Sequence, residues 1–232
     1  HPDAWFMGEV IHGDYAGFVE ASTVDTVTQY ELWKGIWSSL HDTNFWELDH
    51  ALERHRDVSA QLLTNTFIGN HDVDRIASKI GQDKEILALA ILLTLPGMPS
   101  IYYGDEQGFE GVRGEGFSAD DAVRPPLPAT PGELSDLGAW IFREHQALIG
   151  LRRRNPWLTG ADLEVLDKTN ETISYRVFAD NIDWDFVRSA SEHGYSIKDL
   201  NKRLFIPERD EAVIQVTGRM GERVEWSIGE AL

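Results

Sequence analysis

The chain has 232 residues, enough for one large domain or two small ones whose core needs no disulfide bonds. It contains no cysteine, which excludes disulfide frameworks, thiolate nucleophiles and cysteine-based metal sites. A formal net charge of −18 repels phosphate groups, so neither nucleic acid nor an anionic membrane is expected as a partner. Without a bilayer-length apolar run or an opening signal segment, the expected location is cytoplasmic.

The first two thirds of the chain predict alternating strands and helices. In chain order, strands are predicted over residues 4–10, 24–29, 62–69 and 100–103, and helices over residues 30–40, 44–60, 84–95 and 134–151. Asn44 and Asp83 are the predicted N-caps of the second and third of these helices. A Gly-, Asp- and Pro-rich loop covers residues 104–131, and long loops are often functional. The alternation favours a parallel α/β sheet or barrel.

The pattern changes after Pro156. Residues 163–177 alternate around the turn-prone Thr169 and Asn170, which predicts a β-hairpin. Residues 184–204 have a helical pattern, and strands are predicted over residues 212–216 and 223–228. We therefore divide the chain into an α/β domain of residues 1–157 and a small, mainly β domain of residues 158–232.

Acidic residues stand at the predicted strand ends. Glu9 ends the first strand, His71 and Asp72 end the third, and Asp105 and Glu106 follow the fourth. Catalytic groups of βα folds collect at the carboxyl ends of strands. Glycosidic cleavage needs a proton donor at the leaving oxygen and a carboxylate facing the oxocarbenium charge, and paired carboxylates at one edge would supply both. Spacing alone leaves structural roles open, as solvated strand ends, turns or helix caps.

A metal-dependent hydrolase is an alternative for some of the same residues. His71, Asp72 and Asp74 are metal-ligating residue types close together in sequence. However, no H-E-x-x-H motif occurs, and His50 and His55 stand at i and i+5, so we predict that both are surface residues. No G-x-S-x-G, G-x-G-x-x-G or P-loop motif occurs either. We expect neither a metal nor an organic cofactor here.

Three segments resemble, in order, motifs of the α-amylase family, glycoside hydrolase family 13. Residues 6–12 (FMGEVIH) are similar to its fifth-strand motif G-E-[VI]-W-H, and residues 67–72 (FIGNHD) to its seventh-strand motif F-x-x-N-H-D. Residues 97–106 (GMPSIYYGDE) are similar to its eighth-strand motif, and Arg124-Pro125 loosely to an R-x-P element in the following loop. Three ordered motifs are far more specific than any single one. The resemblance covers residues 1–157 and, more faintly, 169–177.

The resemblance implies a role for each motif residue. Glu9 corresponds to the general acid/base, and Asp72 to the carboxylate that stabilises the transition state. The implied substrates are α-linked gluco-oligosaccharides of the starch type. Further predicted sugar contacts come from His71, Asn70, His12 and Tyr30, although Tyr30 has a core position as its alternative. The histidine after the acid/base favours the cyclomaltodextrinase or neopullulanase branch.

Departures from the family pattern shape the expected activity. The nucleophile motif G-x-R-x-D and the first Asn-His motif do not occur, and Ile11 replaces the usual tryptophan. The chain thus resembles strands five to eight of a (β/α)8 TIM barrel followed by the small β domain. A calcium site, if the family's usual one, would lie in the half not present. Retaining cleavage needs two carboxylates, so we expect the chain alone to be inactive.

Open sheet edges in such a half-barrel would need a cover. We expect either the N-terminal half of the barrel as a partner or self-association through those edges. A function of another class stays open beside the enzyme: a non-catalytic carbohydrate-binding or assembly module that kept the fold and lost the nucleophile.

Overall fold

The computed structural model describes residues 4–178 and the backbone of two further strands over residues 212–217 and 225–229. Its first half contains β1 (Met7–Gly8), α1 (Tyr15–Glu20), β2 (Thr26–Val27), α2 (Tyr30–Asp42), α3 (Phe45–Ser59), β3 (Asn65–Phe67), α4 (Ile76–Ile80), α5 (Gln82–Thr94) and β4 (Met98–Ser100). Then come α6 (Ala139–Arg154), β5 (Asp162–Lys168), β6 (Ile173–Phe178), β7 (Ala212–Thr217) and β8 (Glu225–Gly229). No helix in these parts is long and apolar enough to cross a bilayer.

Strands β1 to β4 lie side by side and run in the same direction. β1 pairs with β2 and β3 with β4, both in parallel, and a parallel bridge between Thr28 and Asn65 joins the two pairs. Because parallel strands end at one edge, the residues that follow the four strands meet there. This confirms the predicted strand–helix alternation. Within the described residues the four strands do not close into a barrel.

The helices cover this sheet through a shared apolar core. In α5 every residue from Glu85 to Thr94 is buried, as expected from its nearly continuous apolar run. α2 and α3 approach closely at Gly35, where an added Cβ would lie 2.4 Å from the Cβ of Ala51. The nearly continuous apolar run of α5 thus explains its burial. The missing side chain of Gly35 allows α2 and α3 to pack closely.

The predicted hairpin is present as β5 and β6, and β7 and β8 extend it to a four-stranded antiparallel sheet. Its buried side chains, including Leu163 and Tyr175, belong to the same apolar cluster as the helices. The hydroxyl groups of Tyr175 and Thr94 lie 2.8 Å apart, which ties β6 to α5. The division at residues 157 and 158 stays a prediction, and the predicted helix over residues 184–204 lies outside the described residues.

Several predicted boundaries are wrong. The third predicted helix begins at Gln82 rather than at residue 84, and Gly81, with a φ of +82°, occupies the N-cap position in place of Asp83. Strand β4 covers 98–100 rather than 100–103, because it takes its register from β3. The last helix starts at Ala139, after 3-10 turns at Pro131–Glu133 and Asp136–Gly138, and not at residue 134. The short helices α1 and α4 have no counterpart among the predictions.

His55 contradicts the predicted surface position. Its side chain is fully buried on α3, and Nε2 lies 3.0 Å from the carbonyl oxygen of Pro96, whereas His50 is exposed as predicted. Burial lowers the pKa of His55 to about 4, so the ring is neutral at pH 7. The two histidines indeed lie on different faces of α3, but the face of His55 is directed into the core.

Candidate active site

The carboxyl ends of the four parallel strands bring four separate segments together. Glu9 follows β1, Tyr30 begins α2 just after β2, and residues 70–72 follow β3. Residues 102–105 follow β4 and lead into the long loop of residues 104–131.

A hydrogen-bonded chain joins the segments after β1, β2 and β3. The Tyr30 hydroxyl donates to Oε1 of Glu9 at 2.7 Å and accepts from Nδ2 of Asn70, also at 2.7 Å. Oδ1 of Asn70 in turn accepts from the backbone N–H of Asp72 at 2.9 Å. Glu9 and Asp72, about sixty residues apart in sequence, are thus connected through two polar side chains.

Tyr30 is a buried hydrogen-bond donor in this chain. Its side chain is only 6% exposed, and burial together with the bond to Glu9 raises the pKa of Tyr30 to about 12. The phenol therefore keeps its proton at neutral pH. Its ring packs edge-on against Trp33 and Phe67, with centroid distances of 5.8 and 4.9 Å. This packing favours the core position over the sugar-stacking role, while the hydroxyl still reaches the site.

Asp72 is held by two neighbours of positive or polar character. Nη2 of Arg124 lies 2.9 Å from its Oδ1, and Nε2 of His71 lies 3.5 Å from its Oδ2. Arg124 also donates from Nε to the His71 carbonyl at 3.0 Å. His71 and Asp72 remain partly exposed, so both can reach a molecule placed above this edge. Arg124 thus places a positive charge directly against the Asp72 carboxylate.

The sixth predicted site residue, His12, stands apart. It is exposed and lies three residues beyond Glu9. Within the part of the chain that the structure describes, no hydrogen bond joins it to Glu9, Tyr30 or Asp72. The structure therefore brings Glu9, Tyr30, Asn70, His71 and Asp72 into one group and leaves His12 at its rim.

The long loop after β4 is fastened to the segment after β3. Asp74 accepts from the backbone N–H of Arg113 at 2.8 Å, and Nε of Arg113 lies 2.6 Å from Oδ1 of Asp120. The other Asp120 oxygen pairs with Arg124 at 2.8 Å. Sequence reasoning singled out Arg124 only through a loose R-x-P match. The remaining contacts depend on how the loop folds, which no motif encodes.

Arg75 and Asp105 form a buried ion pair between the segments that follow β3 and β4. Nη1 of Arg75 is 3.0 Å from Oδ1 of Asp105, with both side chains at most 1% exposed. Burial raises the pKa of Asp105, and Arg75 opposes this rise. Sequence reasoning named Asp105 as a strand-end carboxylate, with a turn as its alternative role, and overlooked Arg75, whose only signal is its place three residues after Asp72. Among the described residues, no three His, Asp or Glu side chains are grouped to hold a metal ion.

The sequence of this chain is similar to those of several known proteins. The sequence model of the family Alpha amylase, catalytic domain, matches residues 1–192. A 4-alpha-glucanotransferase of Thermotoga neapolitana is 27% identical over 198 residues, which cover 74% of this chain and 43% of that protein. Neopullulanase 2 of Thermoactinomyces vulgaris is 30% identical over 167 residues, covering 68% of this chain and 27% of that protein. The chain thus spans less than half the length of these relatives.

A solved structure shows the same fold. The alpha-amylase from H. orenii superposes with a TM-score of 0.64 over 76% of this chain and 41% of that chain, at 21% sequence identity. At this identity the likeness concerns the fold alone.

Proposed function

Because the chain belongs to the α-amylase catalytic-domain family, we propose that it supplies the acid/base side of an active site that cleaves or transfers α-glucosidic bonds of starch-like oligosaccharides. The observation that carries this proposal is the hydrogen-bonded chain from Glu9 through Tyr30 and Asn70 to Asp72. It places a carboxyl group at the end of one strand in contact with the segment that carries a second.

Each carboxyl group suits one half of the reaction. Oε1 of Glu9 accepts the hydrogen bond from the Tyr30 hydroxyl. The other oxygen, Oε2, is left to carry the proton that passes to the leaving oxygen. Asp72, paired with Arg124, can face the positive charge that develops on the sugar ring. His71, Asn70 and His12 are the proposed sugar contacts, and Tyr30 acts by orienting Glu9.

The nucleophile is proposed to come from outside these 232 residues. Retaining cleavage places it about 5 to 5.5 Å from the acid/base, on the opposite side of the sugar. No R-x-D segment occurs anywhere in these 232 residues. Five large apolar side chains of residues 5–18, namely Trp5, Phe6, Met7, Ile11 and Phe18, are exposed beside β1. A segment equivalent to the first four strands of the family barrel would cover them and carry the nucleophile.

The proposal is tested by release of reducing sugar from maltotriose. We expect none from the chain alone. Joined behind the part of the Thermotoga neapolitana relative that precedes the matched region, the chain should become active. Glu9→Gln and Asp72→Asn should then lower kcat at least about 100-fold, because each removes a group needed in the transition state. Tyr30→Phe should lower kcat less, since it removes the hydrogen bonds to Glu9 and Asn70 but leaves both carboxyl groups in place.

The matched control is Glu53→Gln, an exposed carboxylate on α3, which should leave kcat unchanged. Sugar release by the chain alone that disappears in Glu9→Gln would mean that a nucleophile lies within these residues. A folded fusion that binds maltotriose without cleaving it would instead support the non-catalytic carbohydrate-binding module.

A further inference from the structure

Arg75 occupies a buried position between the segments that follow β3 and β4. Its side chain is completely buried, and Nη1 donates both to the Tyr103 carbonyl and to Oδ1 of Asp105, the latter at 3.0 Å. Its backbone N–H donates to the Gly111 carbonyl at 3.0 Å. One residue therefore connects the segment carrying Asp72 with two points of the chain that follows β4.

The contacts continue from Arg75 to the loop that presents Arg124. The guanidinium lies over the rings of Tyr102 and Tyr103, 4.1 and 4.9 Å from their centroids. The two tyrosine hydroxyls donate to the carbonyls of Val123 and Pro125, at 3.3 and 2.9 Å. These carbonyls flank Arg124, whose guanidinium pairs with Asp72. The contacts thus form a closed circuit that starts and ends at the Asp72 segment.

Glycines permit the close approach that this circuit needs. A Cβ added to Gly69, just after β3, would lie 2.7 Å from Oδ2 of Asp105. A Cβ added to Gly111 would lie 2.1 Å from the Ala122 carbonyl oxygen. Larger residues at either place would push the segments after β3 and β4 apart.

Stability alone does not explain a buried ion pair here. Taking two charges out of water costs about as much as their attraction returns, and a packed apolar pair often serves stability as well. What an arginine adds is a flat cation that can donate hydrogen bonds and lie over aromatic rings at the same time. In Arg75, Nη1 donates to a carbonyl and to a carboxylate while the guanidinium plane lies over Tyr102 and Tyr103.

We propose that Arg75 is a positioning residue that sets the place of Asp72, by tying its segment to Tyr103 and Asp105 and, through the two tyrosine rings, to the loop that presents Arg124. The relevance of this role to catalysis rests on the proposed function. The contacts themselves do not, so they can be tested without any activity.

Arg152 provides a matched control. It is also a buried arginine beside β4, but it donates to the carbonyls of Leu93, Leu95 and Gly97, at the opposite end of the strand. Replacement of either arginine by lysine keeps the charge and loses the planar guanidinium. Only the Arg75 replacement should disturb the edge that carries Asp72.

The experiment follows the Arg124 Nε–H signal in nitrogen-15 NMR spectra of the whole chain, because this group is bonded to the His71 carbonyl. In Arg75→Lys, the hydrogen exchange of the Arg124 Nε–H with solvent should accelerate at least tenfold. The exchange of the Asp72 backbone N–H should accelerate by at least the same factor. In Arg152→Lys both rates should stay near those of the wild type after correction for global stability. If Arg75→Lys does not fold, Asp105→Asn is measured against the same limits.

Two outcomes would overturn the proposal: wild-type exchange at Arg124 in the Arg75 or Asp105 variant, or equal acceleration in Arg152→Lys. Kinetic measurements on the active fusion test the same role. There, Arg75→Lys should lower kcat at least tenfold and change KM less than threefold. A fusion without activity would count against the proposed function and would leave the exchange result standing. Unchanged exchange in an active fusion would count against the role of Arg75 only.

Discussion

Glu85 illustrates at the scale of a single residue how burial controls charge in this chain. Its side chain lies on α5 with no exposed surface, and neither carboxylate oxygen has a hydrogen-bond partner among the described residues. Burial, with smaller contributions from Asp105 and Glu106, raises the pKa of Glu85 to about 9. Arg75, the cation facing it, already pairs with Asp105. Glu85 therefore carries a proton at neutral pH.

We predict that Glu85→Gln stabilises the chain increasingly as pH rises. The folded-state pKa of Glu85 lies above the unfolded value near 4.5, so native wild type holds a proton that the unfolded chain releases. Its stability contribution is complete below pH 4.5 and declines up to about pH 9, by at most about 1.4 kcal/mol per pH unit. Glutamine is neutral throughout and removes this decline.

The measurement is urea unfolding of both proteins from pH 5 to pH 9. The difference in unfolding free energy should grow with pH, reaching a few kcal/mol at pH 8. Asp105 is present in both proteins, so its own titration cancels in the difference. Parallel curves for the two proteins would show that Glu85 is ionised in the fold.

At the scale of elements, the N-termini of α3 and α5 show two different controls on where a helix begins. The capping side chain decides the start of α3, and the preceding helix decides the start of α5. Asn44 accepts from the backbone N–H of Trp46 with its side chain, so the predicted cap of α3 is confirmed. Asp83, an equally good capping residue, lies inside the first turn of α5 because Gly81 ends α4 and begins α5. A capping residue predicts a helix start only where the preceding chain leaves that place free.

We predict that Asn44→Ala lowers the free energy of unfolding by about 1 kcal/mol, since one N–H at the start of α3 loses its acceptor. Urea unfolding monitored by circular dichroism measures the change. Glu53→Ala, an exposed substitution in the middle of the same helix, serves as the control and should change stability by less than about 0.5 kcal/mol. Equal effects of the two substitutions would contradict a capping role for Asn44.

At the scale of the whole molecule, both outer strands of the parallel sheet have an open edge among the described residues. β1 pairs only with β2, and β4 pairs only with β3. The β1 edge is the one flanked by a group of exposed apolar side chains. Ile11 and Phe6 are 55% and 58% exposed. Exposed apolar groups beside a strand edge favour association with another chain or segment.

We predict that the chain alone self-associates through this edge and that Ile11→Glu weakens the association, because a charge would have to be buried there. Sedimentation velocity at several concentrations measures it. Leu137→Glu is the matched control, since Leu137 is 84% exposed in the turn before α6, away from β1. A monomer at all concentrations, or equal effects of both substitutions, would exclude β1 as the contact.

Predictability differed between these scales for physical reasons. The elements around the site could be predicted because periodic apolar residues and turn residues act locally, as in α2 and in the hairpin of β5 and β6. The short helices α1 and α4 could not, since helices of five or six residues form only with tertiary support. The buried place of His55 was also missed, because the face that a helix turns to the core depends on its neighbours.

The sequence by itself determined the family resemblance and the segments that carry Glu9, His71 and Asp72, since these depend on residue types in a fixed local order. Only the tertiary structure decided that Tyr30 and Asn70 link the two carboxylates, that Arg124 pairs with Asp72, and that Arg75 lies beneath them. The hydrogen bonds of Tyr30 and the Arg124 contact join positions 21 to 52 residues apart. They arise because parallel strands end at one edge, a property of the sheet that no local pattern contains.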